Sequence, residues 1–109
     1  MVFMHKLREH SDELAYLILK SIAEAGGSVY FRYLHKLREK LEIQSPQKEF
    51  EKKFRELERK NYIFVRVAPI PFPVNEVILT GKGYEYLAFY ETKHIIAHYM
   101  KKEKHDIRI

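Results

Sequence analysis

The sequence predicts a small α+β fold, mostly helical, and three observations predict it. Apolar residues recur at helical spacing in four stretches of the chain. Between the third and fourth stretches lie two runs of β-branched and aromatic residues, separated by Pro69, Pro71 and Pro73. The 109 residues, 46% hydrophobic and 32% charged, suit one domain around one core rather than a disordered chain. The expected order is helix, short strand, helix, helix, hairpin, long helix. Residues 1–109 then form a single domain: an amino-terminal arm or short helix over 1–10, a core over 11–80 and a carboxy-terminal helix over 81–109.

The first clear helix is predicted over residues 11–25. Ser11 is a good N-cap, and Asp12 and Glu13 place negative charge on the first turn. Leu14, Leu17, Ile18, Ile22 and Ala25 make one apolar stripe, and Gly26 and Gly27 end the helix, one of them in the left-handed conformation. Residues 28–30 read as a short strand. Leu34, Leu37 and Leu41 predict a second helix over residues 31–41. After a break at residues 42–44, Ser45 is expected to cap a third helix that Pro46 opens. Phe50, Phe54 and Leu57 form its buried stripe, and Asn61 ends it, since asparagine tolerates a left-handed backbone. Residues 62–68 and 77–79 read as the two strands of a hairpin. Thr80 caps the last helix, which runs through roughly residue 104, with Gly81 and Gly83 weakening its first turn. The pentapeptide His-Lys-Leu-Arg-Glu at residues 5–9 returns at residues 35–39, but the flanks do not continue the match, so it is no supersecondary repeat.

Composition narrows the function classes. There is no cysteine, which removes disulfides, thiolate catalysis and cysteine-rich zinc sites and fits a reducing compartment. No apolar run approaches the roughly 18 residues of a membrane span, and residues 1–10 lack the apolar centre of a signal peptide. The expectation is a cytoplasmic protein without membrane association. Two Gln, two Asn and abundant Lys, Glu, Arg and Tyr lean towards a heat-adapted source. The net charge is +5, and residues 31–61 alone hold ten Lys/Arg against six Glu. A basic centre of this kind suggests a polyanionic partner.

The stretch Leu41-Glu-Ile-Gln-Ser-Pro46, then Phe50, Phe54 and Leu57-Glu-Arg-Lys-Asn-Tyr-Ile63, resembles the turn and recognition helix of winged helix-turn-helix regulators. The later run Leu79-Thr-Gly-Lys-Gly-Tyr-Glu-Tyr-Leu87 is similar to the strand-to-helix junction of MarR-type and PadR-type repressors, roughly Leu-Thr-x-Lys-Gly-x-x-x-Leu. The resemblance covers residues 14–87 and implies a winged helix-turn-helix with a three-helix core, a β-hairpin wing and a long carboxy-terminal helix. It implies sequence-specific binding of double-stranded DNA by a small transcription regulator. Winged helices also serve as protein-binding modules in transcription, replication or chromosome-maintenance assemblies. This chain departs from the pattern in two places. Glu42 stands where many relatives carry glycine, and the wing tip, residues 68–74, carries no charge.

In the resemblance, the third helix enters the major groove. With Phe50, Phe54 and Leu57 inward, the outward candidates are Gln47, Lys48, Glu51, Lys52 and Arg55. Gln47 suits adenine, and Lys48 or Lys52 suits guanine or phosphate. Ser45 and the amides behind it suit a phosphate at the helix terminus. Arg32 and Lys36 are candidate backbone contacts, and Arg66 is the one basic side chain of the hairpin. The plainer alternative is a solvated, salt-bridged helix face. At the wing tip, exposed Ile70 and Phe72 suit a protein partner; alternatively the prolines fold the tip back and bury Phe72.

Glu91, His94 and His98 share one helical face, but no fourth ligand or accompanying motif supports a metal. No cofactor is expected, and no nucleophile or phosphate-loop motif marks an enzyme. The last helix is apolar over more than one face, so a homodimer through Leu87, Phe89, Tyr90, Ile95, Ile96, Tyr99 and Met100 is expected. Val2, Phe3 and Met4 are candidates to join it. The alternative is that the helix folds back over its own domain.

Overall fold

Each helix of the core ends in the same way, and that ending sets the path of the chain. The computed structural model describes the backbone of residues 2–68 and 74–106, and the side chains of residues 12–68 and 74–94. In chain order the elements are α1 (Val2–Glu24), β1 (Ser28–Phe31), α2 (Leu34–Lys40), α3 (Gln47–Arg59), β2 (Ile63–Ala68), β3 (Val74–Leu79) and α4 (Gly81–Asp106). After α1, α2 and α3 the backbone turns left-handed at Gly26 (φ 102°), Glu42 (φ 56°) and Asn61 (φ 65°). At each site two amides reach back to the last carbonyls of the helix. Gly27 donates to Ile22 and Gly26 to Ala23, Ile43 to Arg38 and Glu42 to Glu39, Tyr62 to Leu57 and Asn61 to Glu58. This paired closure satisfies carbonyls that a helix end otherwise leaves open. Asn61 behaves as its sequence predicts. Glu42 adopts the left-handed backbone without glycine's freedom.

The three strands form an antiparallel sheet in the order β1-β3-β2. Val29 and Val65 both pair with Val77 of the central strand. The same alternation turns Phe31, Ile63 and Leu79 to the inner face, where they meet Leu14, Ile18, Leu19 and Ile22 of α1, Leu37 of α2, and Phe50, Phe54 and Leu57 of α3. Phe31 packs its edge on Phe54 with centroids 5.9 Å apart. The result is the winged helix-turn-helix arrangement, with α2, the turn and α3 backed by one core and β2–β3 as the wing. Among the described residues no helix is long and apolar enough to cross a membrane.

Several boundaries differ from the sequence expectation. Ser11 is not an N-cap, because α1 is continuous from Val2 and residues 2–10 contain no Gly or Pro to stop it. Within α1, Leu17 is 41% exposed and Ala25 is exposed beyond the helix end, while Ala15 and Leu19 are buried. The buried face is therefore wider than one stripe and centred differently, because α1 packs on α3, α4 and the sheet together. Phe31 belongs to β1 rather than to the second helix, since its pairing with Asn75 holds it extended. Pro46 is the N-cap residue of α3 rather than its first helical residue, with ψ at 146°. The Ser45 hydroxyl consequently lies against the Pro46 carbonyl and caps nothing.

At the junction into α4, Thr80 caps as expected. Its hydroxyl accepts the Gly83 amide (3.1 Å) and donates to the Asn61 carbonyl (2.6 Å). A Cβ at Gly83 would collide with the Tyr62 carbonyl oxygen and the Leu79 side chain, so the residue that weakens the helix start is required by close approach. Lys82 closes the junction by donating to the Lys60 carbonyl at 3.0 Å while lying over the Tyr62 ring. Further along, the Glu91 carboxylate accepts hydrogen bonds from Tyr16 (3.2 Å) and Lys20 (2.7 Å), clasping α4 to α1. The Lys20 hydrogen bond holds Glu91 below its ordinary pKa. Burial, and then this carboxylate, push the Tyr16 phenol up.

Candidate nucleic-acid interface

On α3 the apolar and cationic residues occupy opposite sides. Phe50, Phe54 and Leu57 are buried. Lys48, Lys52, Arg55 and Arg59 follow one another at helical spacing, which confines them to a stripe about 60° wide at 100° per residue, directly across from the core. All four are exposed, and none makes an ion pair among the described residues. The other cations of the helix are occupied. Lys53 and Lys60 both bind Glu56, at 3.2 and 2.9 Å, and the Lys60 hydrogen bond depresses the Glu56 pKa. Glu56 thus pairs the two cations of the flank, and the four of the stripe face solvent. Glu51, an outward candidate, is half-buried at the stripe's margin.

The expectation of a salt-bridged helix face therefore describes the flank of α3 and not its outer stripe. Arg59 continues the stripe beyond Arg55 and was missed by sequence reasoning, although its i+4 spacing from Arg55 is a readable signal.

Gln47 sits at the amino-terminal end of α3, but its carbonyl oxygen accepts a 2.7 Å hydrogen bond from Arg38 Nε of α2. Arg38 also donates to the Ser45 carbonyl at 3.0 Å. These contacts tie α2 to the start of α3 across the turn and fix the angle at which α3 is presented. The Gln47 Nε2 is buried without a hydrogen-bond partner among the described residues. Arg32 lies exposed between β1 and α2, its carbonyl accepting from Asn75 of β3. Lys36 is exposed on α2, 3.6 Å from Glu39.

The hairpin differs in charge. Arg66 of β2 pairs with Glu76 of β3 in the strand register and donates to it at 2.7 Å. Glu76 is only 6% exposed, so this guanidinium neutralises a buried carboxylate. Beside it on β2, Phe64 and Val67 are 55% and 63% exposed. The wing tip with Ile70 and Phe72 lies outside the described residues.

Of the residues expected at a dimer contact, Leu87 is buried in the chain's own core. Tyr90 stacks on Tyr16 of α1 at 4.3 Å. Phe89 is 73% exposed. The side chains of Ile95, Ile96, Tyr99 and Met100, of Val2, Phe3 and Met4, and of His98 lie outside the described residues. Among the described residues no three His, Asp or Glu side chains gather at a metal site, and Glu91 is committed to the α1 clasp.

The sequence matches no family model and no curated protein. Among solved structures it is similar to a transcriptional regulator from Clostridium thermocellum, at 17% identity and a TM-score of 0.59, covering 91% of this chain and 93% of that one. The likeness extends over nearly the whole of both chains and establishes a shared fold.

Proposed function

We propose that this protein binds double-stranded DNA by laying α3 in the major groove, as a two-fold dimer acting in transcription regulation. The observation that carries the reading is the unpaired cationic stripe of Lys48, Lys52, Arg55 and Arg59, held outward by a helix whose opposite face is core. Free cations on a rigid helix release counterions from a phosphate backbone without first breaking ion pairs of their own. Lys48 and Lys52, near the amino-terminal end, reach base edges or phosphate; Arg55 and Arg59 follow the backbone, with Arg32 and Lys36 as flanking contacts. Ser45 and Gln47 stand at the helix start, where Gln47 serves mainly to hold the turn through Arg38 and meets adenine only on releasing it. The fold shared with a bacterial transcriptional regulator supports the same reading.

The hairpin favours a second reading for its own surface. Its described cation is neutralised, and its other exposed side chains among the described residues, Phe64 and Val67, are apolar, which suits a protein partner better than phosphate.

Selection from a random duplex library tests the DNA reading. The expected outcome is an enriched, two-fold symmetric sequence with half-sites about 10 base pairs between centres. Recovery of no sequence above the starting pool would contradict it.

A further inference from the structure

Beside the α1–α4 clasp lies an open groove of about 650 Å³, lined by Asp12 and Glu13 of α1 on one side and by Tyr86, Phe89, Tyr90, Lys93 and His94 of α4 on the other. Its walls are held at a set distance by the Tyr16 and Lys20 bonds to Glu91 and by the Tyr16–Tyr90 stack. The floor is aromatic, with Tyr90 lying 4.2 Å from the His94 ring and 6.3 Å from Tyr86. At the rim the charges are separated by helix. Asp12 and Glu13 on α1 and Lys93 on α4 are exposed, and none of them has an ion-pair partner among the described residues. Phe89, four residues before Lys93 and so on the same helical stripe, is the most exposed large apolar side chain of the described residues.

We infer that this groove seats a second copy of the chain, with Phe89 of each copy at the centre and Lys93 of each against Asp12 and Glu13 of the other. The inference rests on the dimer in the proposed function and names its surface. A surface carrying an acidic wall and a basic wall is complementary to itself under a two-fold rotation, so one contact geometry satisfies both sets of charges twice. A ligand or partner of one sign would meet repulsion from the other wall. Seating Phe89, 73% exposed in the single chain, in an aromatic groove takes its apolar surface out of water. The sequence repeats the stripe's spacing with Ile96 and Met100, seven and eleven residues after Phe89. With 26 residues, α4 is about 39 Å long at 1.5 Å per residue, ample for an interface of ordinary size.

Sedimentation equilibrium and native mass spectrometry of the full chain test the inference by charge reversal. Lys93→Glu alone, and Asp12→Lys with Glu13→Lys, should each weaken self-association about 10-fold or more through like-charge contacts. An equimolar mixture of the two variants should form the mixed dimer, within about three-fold of the parent's affinity. All three positions are solvent-exposed, and unchanged far-ultraviolet circular dichroism spectra verify that the variants are folded. A parent that stays monomeric at tens of micromolar overturns the inference. So do variants that dimerise as well as the parent, or a mixture that does not recover. These outcomes are separable from the DNA reading. Loss of the dimer surface leaves salt-dependent duplex binding by α3 in place, whereas failure to bind duplex DNA leaves the charge code of self-association untouched.

Discussion

The outer face of α3 and the hairpin sit on the same core, yet they use their cations in opposite ways. On α3, Glu56 binds Lys53 and Lys60 at the flank while Lys48, Lys52, Arg55 and Arg59 stay unpaired on the outside. On the hairpin, Arg66 lies over a carboxylate that is almost wholly buried. Counting basic residues equates these cations, but their energetics differ. A phosphate that recruits Arg66 must compete with a buried anion that has no other described partner. A phosphate that recruits Lys52 displaces only water and counterions. The difference teaches that exposed cations are available without breaking an ion pair on the outer stripe of α3, where the proposed polyanion contact lies, while the wing's described strands hold their charge for structure.

The contrast is broken most severely by removing what holds α3 in place. Phe54 packs between Phe31 and Phe50, so Phe54→Ala should cost about 3–5 kcal/mol of stability, read in chemical denaturation. Alanine at Lys52 on the opposite side should shift stability by no more than about 0.5 kcal/mol. If both substitutions destabilise alike, the two faces of the helix are not separated as described.

A smaller effect separates structural from binding cations. Arg66→Ala should destabilise the fold by about 1–3 kcal/mol, because Glu76 is left buried without its partner, and it should leave the salt dependence of duplex binding unchanged. A lowered salt slope at an unchanged melting temperature would instead make Arg66 a phosphate contact. The smallest effect concerns the turn that aims α3. Glu42→Gly should raise stability by about 1 kcal/mol, since glycine adopts the left-handed backbone without steric cost. Duplex affinity should follow the parent's, as Arg38 still ties Gln47 and Ser45 together. A fall in stability would mean that the Glu42 side chain contributes more than its backbone strain removes.

Much of this arrangement was legible in the residues, and the unreadable parts share a cause. Phe50, Phe54 and Leu57 announced the inner face of α3, and Asn61 and Thr80 announced helix ends, because each signal is local. Ser11 looked like a cap since serine before two acids usually is one, yet nothing in residues 2–10 stops a helix. Pro46 serves equally well as N-cap or first helical residue, so the residue types could not place the boundary. The Arg66–Glu76 pair depends on the register of β2 against β3, and the Arg38–Gln47 tie depends on packing across a turn; neither is encoded at helical or strand spacing. Leu17 shows the same limit in the core, since which side of α1 is buried depends on three elements packing on it at once.

The most direct test of the account is a duplex-DNA titration across salt concentrations, comparing the parent with a variant carrying alanine at Lys48, Lys52, Arg55 and Arg59. The parent should lose affinity steeply and linearly on a log-log scale. The variant should bind far more weakly at low salt, with the slope reduced by about three to four if each cation neutralises one phosphate. A variant that matches the parent in affinity and slope at every salt concentration would show that this stripe is not the DNA-binding surface, and would leave the apolar side of the hairpin as the better place to look for a partner.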